Sequence, residues 1–422
     1  MNSLINNLIE FIIQWGLNVN YILIKNLIPS EINTKYQYIL EKPSNFKFDP
    51  TYLNLVTYNA NPLIQCLDNY CKLNSIYSNG AIVSLSGGVD SMVILAILIH
   101  LQTIYKFPIY TASIDYGLRI ESNDETNFLM EYTKMFGIKC YIVKIHGVSR
   151  KKEDSKSRSE FEEESRNLRF NTYKKIIEEN NLNSDCGVFV GHHQDDIIEN
   201  IFTNSMRGGN LLDLEVMKSD NKINGVNIYR PFLNFRKNII YDFAHKFNVP
   251  YFLDTTPKWS RRGKMRMEIF PLLDSVFGIN WRNKLKLIGD QSNEWDTYLS
   301  KYVIEPWLKE VKFGSCGFII PIKSQPKIIY SNIILKSLHK LGYNMIRKTS
   351  IDKIMLMIEN KTNKVINLDG SRYATLIKNN EYIIIFNTKF YSQIGINKYD
   401  DIIDDICSIR NDICSIRNDI LL

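Results

Sequence analysis

Two short stretches of this chain place chemistry-bearing residues where an apolar run ends and a helical pattern begins. The first is Ser86-Gly87-Gly88-Val89-Asp90-Ser91, between the apolar runs 81–85 and 92–99. Small residues at 86 to 88 let main-chain N–H groups approach an anion closely. A helix starting there turns the positive end of its dipole to the same ligand. The chemistry expected is capture of a pyrophosphate or triphosphate. No Gly-Lys-Ser or Gly-Lys-Thr closes the loop and no GxGxxG is present, so neither the common nucleoside-triphosphate loop nor a dinucleotide fingerprint applies. A Gly-Gly turn without a ligand uses the same residues. The second stretch is Val190-Gly191-His192-His193-Gln194-Asp195-Asp196-Ile197-Ile198-Glu199. Its two histidines, two aspartates and glutamate can coordinate magnesium, orient an amine or act as a general base. The bland reading is a helix N-cap with solvated side chains.

The elements that must position these residues are legible as a pattern. From about 78 to 275, β-like apolar runs at 81–85, 110–114, 139–145 and 187–190 alternate with amphipathic segments. That alternation predicts a parallel sheet with helices on both faces, and the 86–91 loop then lies at its C-terminal edge, where such sheets bind ligands. Residues 1–75 carry no chemical motif and read as an appended segment of unknown role. Residues 149–169 begin as a charged polar loop and become a helix. A helical stretch after Phe277 leads to a smaller α+β domain, with strand-like runs at 318–322 and 382–386 and helices around 332–341 and 351–358. The domain reading is therefore 1–75, 76–275, 276–395 and a tail 396–422. The tail repeats DICSIRN at 405–411 and 412–418, which reads as a copying slip in a tolerated terminus.

Composition bounds the answer. The chain has 422 residues, 45% hydrophobic and 12% aromatic, enough for a substantial core and more than one domain. Its net charge of +7 is unevenly spread: residues 261–286 hold seven basic side chains against two acidic, and 301–359 ten against four. A polyanion would meet this half, although a solvated basic face has the same counts. The seven cysteines form no CxxC pair and no zinc spacing, so reduced thiols are expected. Polar residues interrupt the Leu/Ile-rich first 30 positions, and no Arg precedes Arg119, which predicts no membrane span and no Arg-rich transit peptide.

The SGGVDS loop is similar to that of the ATP pyrophosphatase (PP-loop) superfamily. Taken with Gly191-His192-His193-Gln194-Asp195-Asp196-Ile197-Ile198-Glu199 it resembles the tRNA(Ile)-lysidine synthetases, which combine SGGxDS with GHHxDDxxE in this order. The resemblance continues through Ser113–Arg119 (SIDYGLR), Glu164–Phe170 (ESRNLRF), Arg207-Gly208-Gly209, Arg230-Pro231-Phe232-Leu233, Asp254-Thr255-Thr256 and Arg262-Gly263-Lys264-Met265-Arg266. It covers about 200 residues well and the region after 300 more loosely. Tyr116, Asn200, Pro257 and Gly263 stand where the family usually has His, Thr, Asn and Asn.

The resemblance implies cleavage of ATP between the α and β phosphates. Ser86, Gly87, Gly88, Val89, Asp90, Ser91, His192 and Arg119 would hold the nucleotide, with Asp90 on Mg2+. The C2 oxygen of the wobble cytidine in a CAU-anticodon tRNA(Ile) would be adenylated, and free L-lysine would then displace AMP. Asp195 and Asp196, helped by Glu199, would bind and deprotonate the lysine amine, since its unperturbed pKa is about 10.4. Arg166, Arg169 and Arg207 would contact nucleotide or tRNA. Arg262, Lys264 and Arg266, two residues apart, would share a phosphate-facing side if extended. A cytoplasmic setting is expected, with organellar and viral ones left open, and a homodimer is allowed. The alternatives are a PP-loop tRNA thiolation enzyme, using Cys140 or Cys186, and an idle tRNA-binding paralogue.

Overall fold

The computed structural model describes residues 35–41, 61–116, 121–144, 158–183, 185–254 and 256–388, the last with breaks at 257, 259, 315–316, 344–345, 363–364, 370–371 and 379. Arg119, the charged segment 149–157, Thr255, Pro257 and the duplicated tail lie outside the described residues. The chain divides into two compact units, Met1–Thr203 with Glu215–Lys286, and Asn204–Leu214 with Leu287–Leu422. No helix among the described residues is long and apolar enough to cross a membrane.

In the first unit α1 (Pro62–Leu73) leads to β1 (Ala81–Ser84), α2 (Val89–Tyr105), β2 (Ile109–Asp115), α3 (Ser122–Met135), β3 (Lys139–Lys144), α4 (Arg158–Glu179), β4 (Gly187–Phe189) and α5 (Gln194–Met206). There follow β5 (Asp220–Ile223), β6 (Val226–Tyr229), α6 (Lys237–Lys246), α7 (Arg261–Lys264) with a π-helical turn Met265–Ile269 and α8 (Phe270–Phe277), and then α9 (Trp281–Leu299), in which the division between the two units falls after Lys286. The sheet order is β3-β2-β1-β4-β6-β5, parallel except where β5 and β6 form an antiparallel hairpin. The expected doubly covered parallel sheet is what forms.

Side-chain alternation explains why both faces are covered. Ala81, Val83 and Phe189 join a large core built on α1, α2, α3 and α6. Ile82, Ala112, Val188 and Ile228 join a second core, where Phe170, Tyr173 and Ile176 of α4 cover the opposite face. Helix α2 is apolar all round from Met92 to Ile99 and buried along that length, as the central helix of such a stack must be.

Residues from the first 75 take part in this core. Tyr36, Ile39 and Leu40 are buried in it, and Leu40 bridges Phe252 in antiparallel fashion. Glu41 N–H donates to Tyr251 O at 3.0 Å and Leu253 N–H to Ile39 O at 3.1 Å, which fixes the 251–253 stretch. Phe252 N–H in turn donates to Gly87 O at 2.9 Å, so this stretch clamps the 86–91 loop.

The second unit is a smaller α+β body, also as expected. Strands β7 (Lys312–Phe313), β8 (Gly317–Pro321), β9 (Ile366–Leu368), β10 (Tyr373–Lys378) and β11 (Tyr382–Asn387) form an antiparallel sheet in the order β7-β8-β11-β10-β9. Helices α10 (Lys327–Lys340) and α11 (Lys348–Glu359) bury Ile333, Ile334, Leu338, Ile351 and Ile354 with Phe318, Ile383 and Ile385 of that sheet.

Gly87 is the strictest local requirement. Its φ is +78°, and a Cβ there would fall inside the Phe252 ring. Gly87→Ala should therefore cost at least the ~1–3 kcal/mol of a left-handed non-glycine residue. The double variant G87A/F252A should lose less than the two single losses combined, because removing the Phe252 ring relieves the clash that a Cβ at position 87 makes with it. Urea denaturation of the four proteins checks this; strictly additive losses would show that ring and loop do not meet.

Candidate active site

The parallel strands end together, so the β1–α2 loop and the β4–α5 junction face one another across the C-terminal edge of the sheet. Ser86 N–H donates to Ser91 Oγ at 3.3 Å, Gly88 N–H to Ser86 Oγ at 3.3 Å, and Ser91 Oγ–H to Gly88 O at 3.0 Å. The two serines thus brace the loop internally. Gly88 is the N-cap of α2 and no side chain caps that helix, so the first-turn N–H groups of Val89, Asp90 and Ser91 are open to an anion. Gly191 sits against this turn. A Cβ on it would lie 2.8 Å from Asp90 Cβ and 3.0 Å from Ser91 N.

The two segments line a cavity of about 450 Å³, shared by Ser86, Gly88, Asp90, His192, His193 and Asp196 with Lys237, Asp254, Arg262 and Arg266. Asp90 Oδ2 lies 3.4 Å from Lys237 Nζ, while its Oδ1 is buried and accepts no hydrogen bond. His193 is buried between carboxylates, its Nε2 3.7 Å from Asp90 Oδ1 and 3.4 Å from Asp196 Oδ2. One buried, unsatisfied carboxylate oxygen beside a phosphate-type loop suits a divalent cation. No group of three His, Cys, Asp or Glu side chains among the described residues is disposed to hold a metal ion. A cation here would therefore share Asp90 with the oxygens of a bound nucleotide, which is how magnesium usually binds.

The predicted acidic residues are all present but differently engaged. Asp195 points away from the loop. Its Oδ2 accepts from Lys237 N–H at 2.8 Å and its Oδ1 pairs with Arg236 Nη2 at 2.8 Å, so it caps α6 from outside that helix. Asp196 and Glu199 are each about 5% exposed. Arg262 bridges them, its Nη2 on Asp196 Oδ1 and its Nε 2.6 Å from Glu199 Oε2. Arg266 Nε reaches Glu199 Oε1 at 2.5 Å, with its Nη2 3.6 Å from Asp196 Oδ1. Burial alone would raise the Asp196 carboxyl. The His193 ring, the Arg262 guanidinium and the His193 N–H outweigh it and hold Asp196 below its ordinary value. Arg266 feels burial first as well, but its hydrogen bond to Glu199 keeps it above the usual arginine value.

This changes the reading of residues 262–266. They do not run extended: α7 and the π-helical turn wind them, so Arg262 and Arg266, four apart, point together onto the acidic pair. Lys264 is exposed and takes no part in that brace. In the described residues Arg262 and Arg266 meet the buried carboxylates of Asp196 and Glu199.

The other predicted basic residues are scattered. Arg169 Nη2 donates to Tyr116 Oη at 3.0 Å, and Arg166 lies over the Phe170 ring at 5.8 Å. Both line a neighbouring cavity of about 420 Å³ that shares His192 with the loop cavity. Arg207 is exposed and belongs to the second unit. Sequence reasoning did not single out Arg236 or Lys237, and took Asp254 only as part of the 254–256 motif, without a role. The signal for the first two was an Arg-Lys pair opening an amphipathic helix. Asp254 caps Thr256 N–H at 2.9 Å, and although burial opposes it, Thr256, Lys237 and Arg266 hold its carboxyl below the ordinary value.

Among the described residues, Cys66, Cys71, Cys140 and Cys186 are free thiols. Cys140 is the second residue of β3, and Cys186 immediately precedes β4, so both lie toward the strand ends remote from the loop. Burial pushes both thiols up, Cys186 to about 12.

Residues 64–273 match the model of the PP-loop domain family. This chain is a PP-loop protein. It is similar to the tRNA(Ile)-lysidine synthase of Thermosipho africanus, with 31% identity over 217 residues, 50% of this chain and 48% of that protein. It is also similar to the tRNA(Ile)-lysidine synthase of Chlamydia caviae, with 27% identity over 256 residues, 60% of this chain and 75% of that protein. The chain thus spans about half the length of the first relative and three quarters of the second. Among solved structures, the U34-tRNA thiolase NcsA from Methanococcus maripaludis has 15% identity and a TM-score of 0.39 over 57% of this chain and 81% of its own, too slight a likeness to bear on function.

The Arg brace of this PP-loop site makes a directional prediction. At neutral pH, Arg266→Met leaves Glu199 and Asp196 under-compensated in a buried place and should cost about 3–5 kcal/mol. Because folding lowers the Asp196 pKa, its stabilisation is complete above the ordinary value of 3.8 and is lost as pH falls below it. The Arg262 guanidinium is one of the charges that lower the Asp196 carboxyl, so the gap between wild type and Arg262→Met in urea unfolding should narrow as pH is lowered through that range. A gap independent of pH would place the Arg262 contribution in packing instead.

Proposed function

We propose that this PP-loop protein is a tRNA(Ile)-lysidine synthetase. The observation that supports this most is the meeting, in one cavity, of an uncapped helix N-terminus, Asp90 with an unsatisfied oxygen, and the His193–Asp196 pair. Sequence relatives that carry that name support the choice of substrate class.

In this reading the open N–H groups of Val89, Asp90 and Ser91, with Lys237, bind the β and γ phosphates of ATP. They stabilise charge as it separates onto pyrophosphate. Asp90 would hold Mg2+, which neutralises phosphate charge when bound. The C2 oxygen of the wobble cytidine attacks the α phosphorus, the bond to the β-phosphate oxygen breaks, and pyrophosphate leaves. The lysine amine then attacks C2, and the former carbonyl oxygen departs with AMP.

The amine must arrive as an ammonium and lose one proton before it can attack, and a second leaves once the bond to C2 has formed. A carboxylate held below its ordinary pKa, as Asp196 is, binds an ammonium well but is a weak base, and Glu199 has both oxygens engaged by arginine. Asp196 and Glu199, already neutralised by two arginines, therefore set the field of the site, and amine capture falls to whichever of their oxygens the arginines release on substrate binding. Asp195, turned onto α6, acts by positioning that helix and Lys237. The remoteness of Cys140 and Cys186 from the loop favours an amine nucleophile over sulfur delivered by these thiols.

Incubation with ATP, Mg2+, labelled lysine and a CAU-anticodon tRNA(Ile) transcript tests this. Acid-stable label on the RNA is expected for wild type, with a loss on the order of 10²-fold or more for Asp90→Asn. AMP release without label would indicate another nucleophile, and RNA binding with neither product would indicate an idle paralogue.

A further inference from the structure

His192 occupies a particular place: it lines both the loop cavity and the neighbouring cavity bounded by Tyr116, Arg169, Phe170 and Tyr173. Its ring is not free to choose its protonation. Arg230 Nε donates to His192 Nδ1 at 3.1 Å. A guanidinium has five N–H donors and no acceptor, so this contact requires a lone pair on Nδ1 and leaves the proton on Nε2.

Arg230 is itself held rigidly. It is 7% exposed, its Nη1 donates to Lys218 O at 2.9 Å and to Asn221 Oδ1 at 2.7 Å, and its own N–H donates to Ser219 O at 2.7 Å. These bonds tie it to the β5–β6 hairpin, so the guanidinium cannot swing away to release the ring.

We propose that Arg230 is a positioning residue that locks His192 as the neutral Nε2–H tautomer. His192 then meets the bound nucleotide or base only as a hydrogen-bond donor, and proton removal is left to carboxylates. The charge environment agrees. Burial pushes His192 down to about 4, and Arg230, Arg262 and His193 push the same way against the opposing pull of Asp196. This division of labour rests on the reading of the loop cavity as the ATP site, but the tautomer itself does not.

The tautomer can be read without turnover. In the full-length protein labelled with 15N-histidine, long-range proton–nitrogen correlation should show His192 Nδ1 as a pyridine-like nitrogen and Nε2 as a pyrrole-like one. The assignment comes from the signals missing in His192→Gln. Arg230→Met should replace this pattern with averaged nitrogen shifts. A wild-type ring protonated on Nδ1, or on both nitrogens near neutral pH, overturns the lock.

The donor role has its own readout in pyrophosphate release. An Asn amide nitrogen falls near the place of Nδ1 and a Gln amide nitrogen near that of Nε2. His192→Asn should fall by about 10²-fold, and His192→Gln should stay well above it. Equal losses would overturn the donor role. If R230M fails to fold, the wild-type spectrum and the His192 pair still decide both points. If no form releases pyrophosphate, the ATP reading fails, and the tautomer is judged on the spectrum alone.

Discussion

The site depends on a pair of carboxylates that could not be buried alone. Asp196 and Glu199 lie one helical turn apart on α5, nearly closed to solvent, and each ion in such a place carries a desolvation cost of several kcal/mol. Arg262 and Arg266 offset that cost by bridging both acids from a second helical segment. The π-helical turn at Met265–Ile269 begins within this brace, and a local change of helical pitch there alters how Arg262 and Arg266 are spaced around the axis. The brace also joins the region after Asp254 to the edge of the sheet, so Asp196 and Glu199 together hold Arg262 and Arg266, part of the cavity wall, in place.

The end of the cavity formed by the 86–91 loop is organised by a different constraint, close backbone approach. Gly87 faces the Phe252 ring, Gly191 faces the first turn of α2, and residues 39–41 clamp the stretch that carries Phe252. Electrostatics at one end and tight contact at the other leave a cavity whose geometry is set before any ligand enters. Preorganisation of this kind is what allows fixed N–H groups and charges to act on a transition state without reorganising. The proposed lock on His192 extends the same logic to a neutral side chain.

Much of this was legible in the sequence, for physical reasons. The central strands β1 and β4 are short apolar runs buried on both faces, and the 86–91 loop and the 191–199 cluster follow them directly. The β5–β6 hairpin was passed over because its strands are polar on one side, although Asn224-Gly225, both at positive φ, are the usual signal of a tight hairpin turn. The brace was missed because local spacing cannot reveal that a helical turn will form around Gly263, nor which distant acids the arginines will meet. The partner of Asn200 is likewise visible only in three dimensions: its side chain donates to Glu215 O at 3.2 Å. Arg236 and Lys237 were unremarkable in sequence, and acquire meaning only because the 230–237 stretch lies over the Asp90 and Asp195 carboxylates.

The central claim is that this cavity directs attack to the α phosphorus of ATP. The most direct measurement is the identity of the nucleotide products formed from ATP in the presence of Mg2+, lysine and a CAU-anticodon tRNA(Ile) transcript, resolved by phosphorus NMR. AMP and pyrophosphate in equal amounts are the result this account predicts. ADP and inorganic phosphate would place the cleavage at the other bond and contradict it.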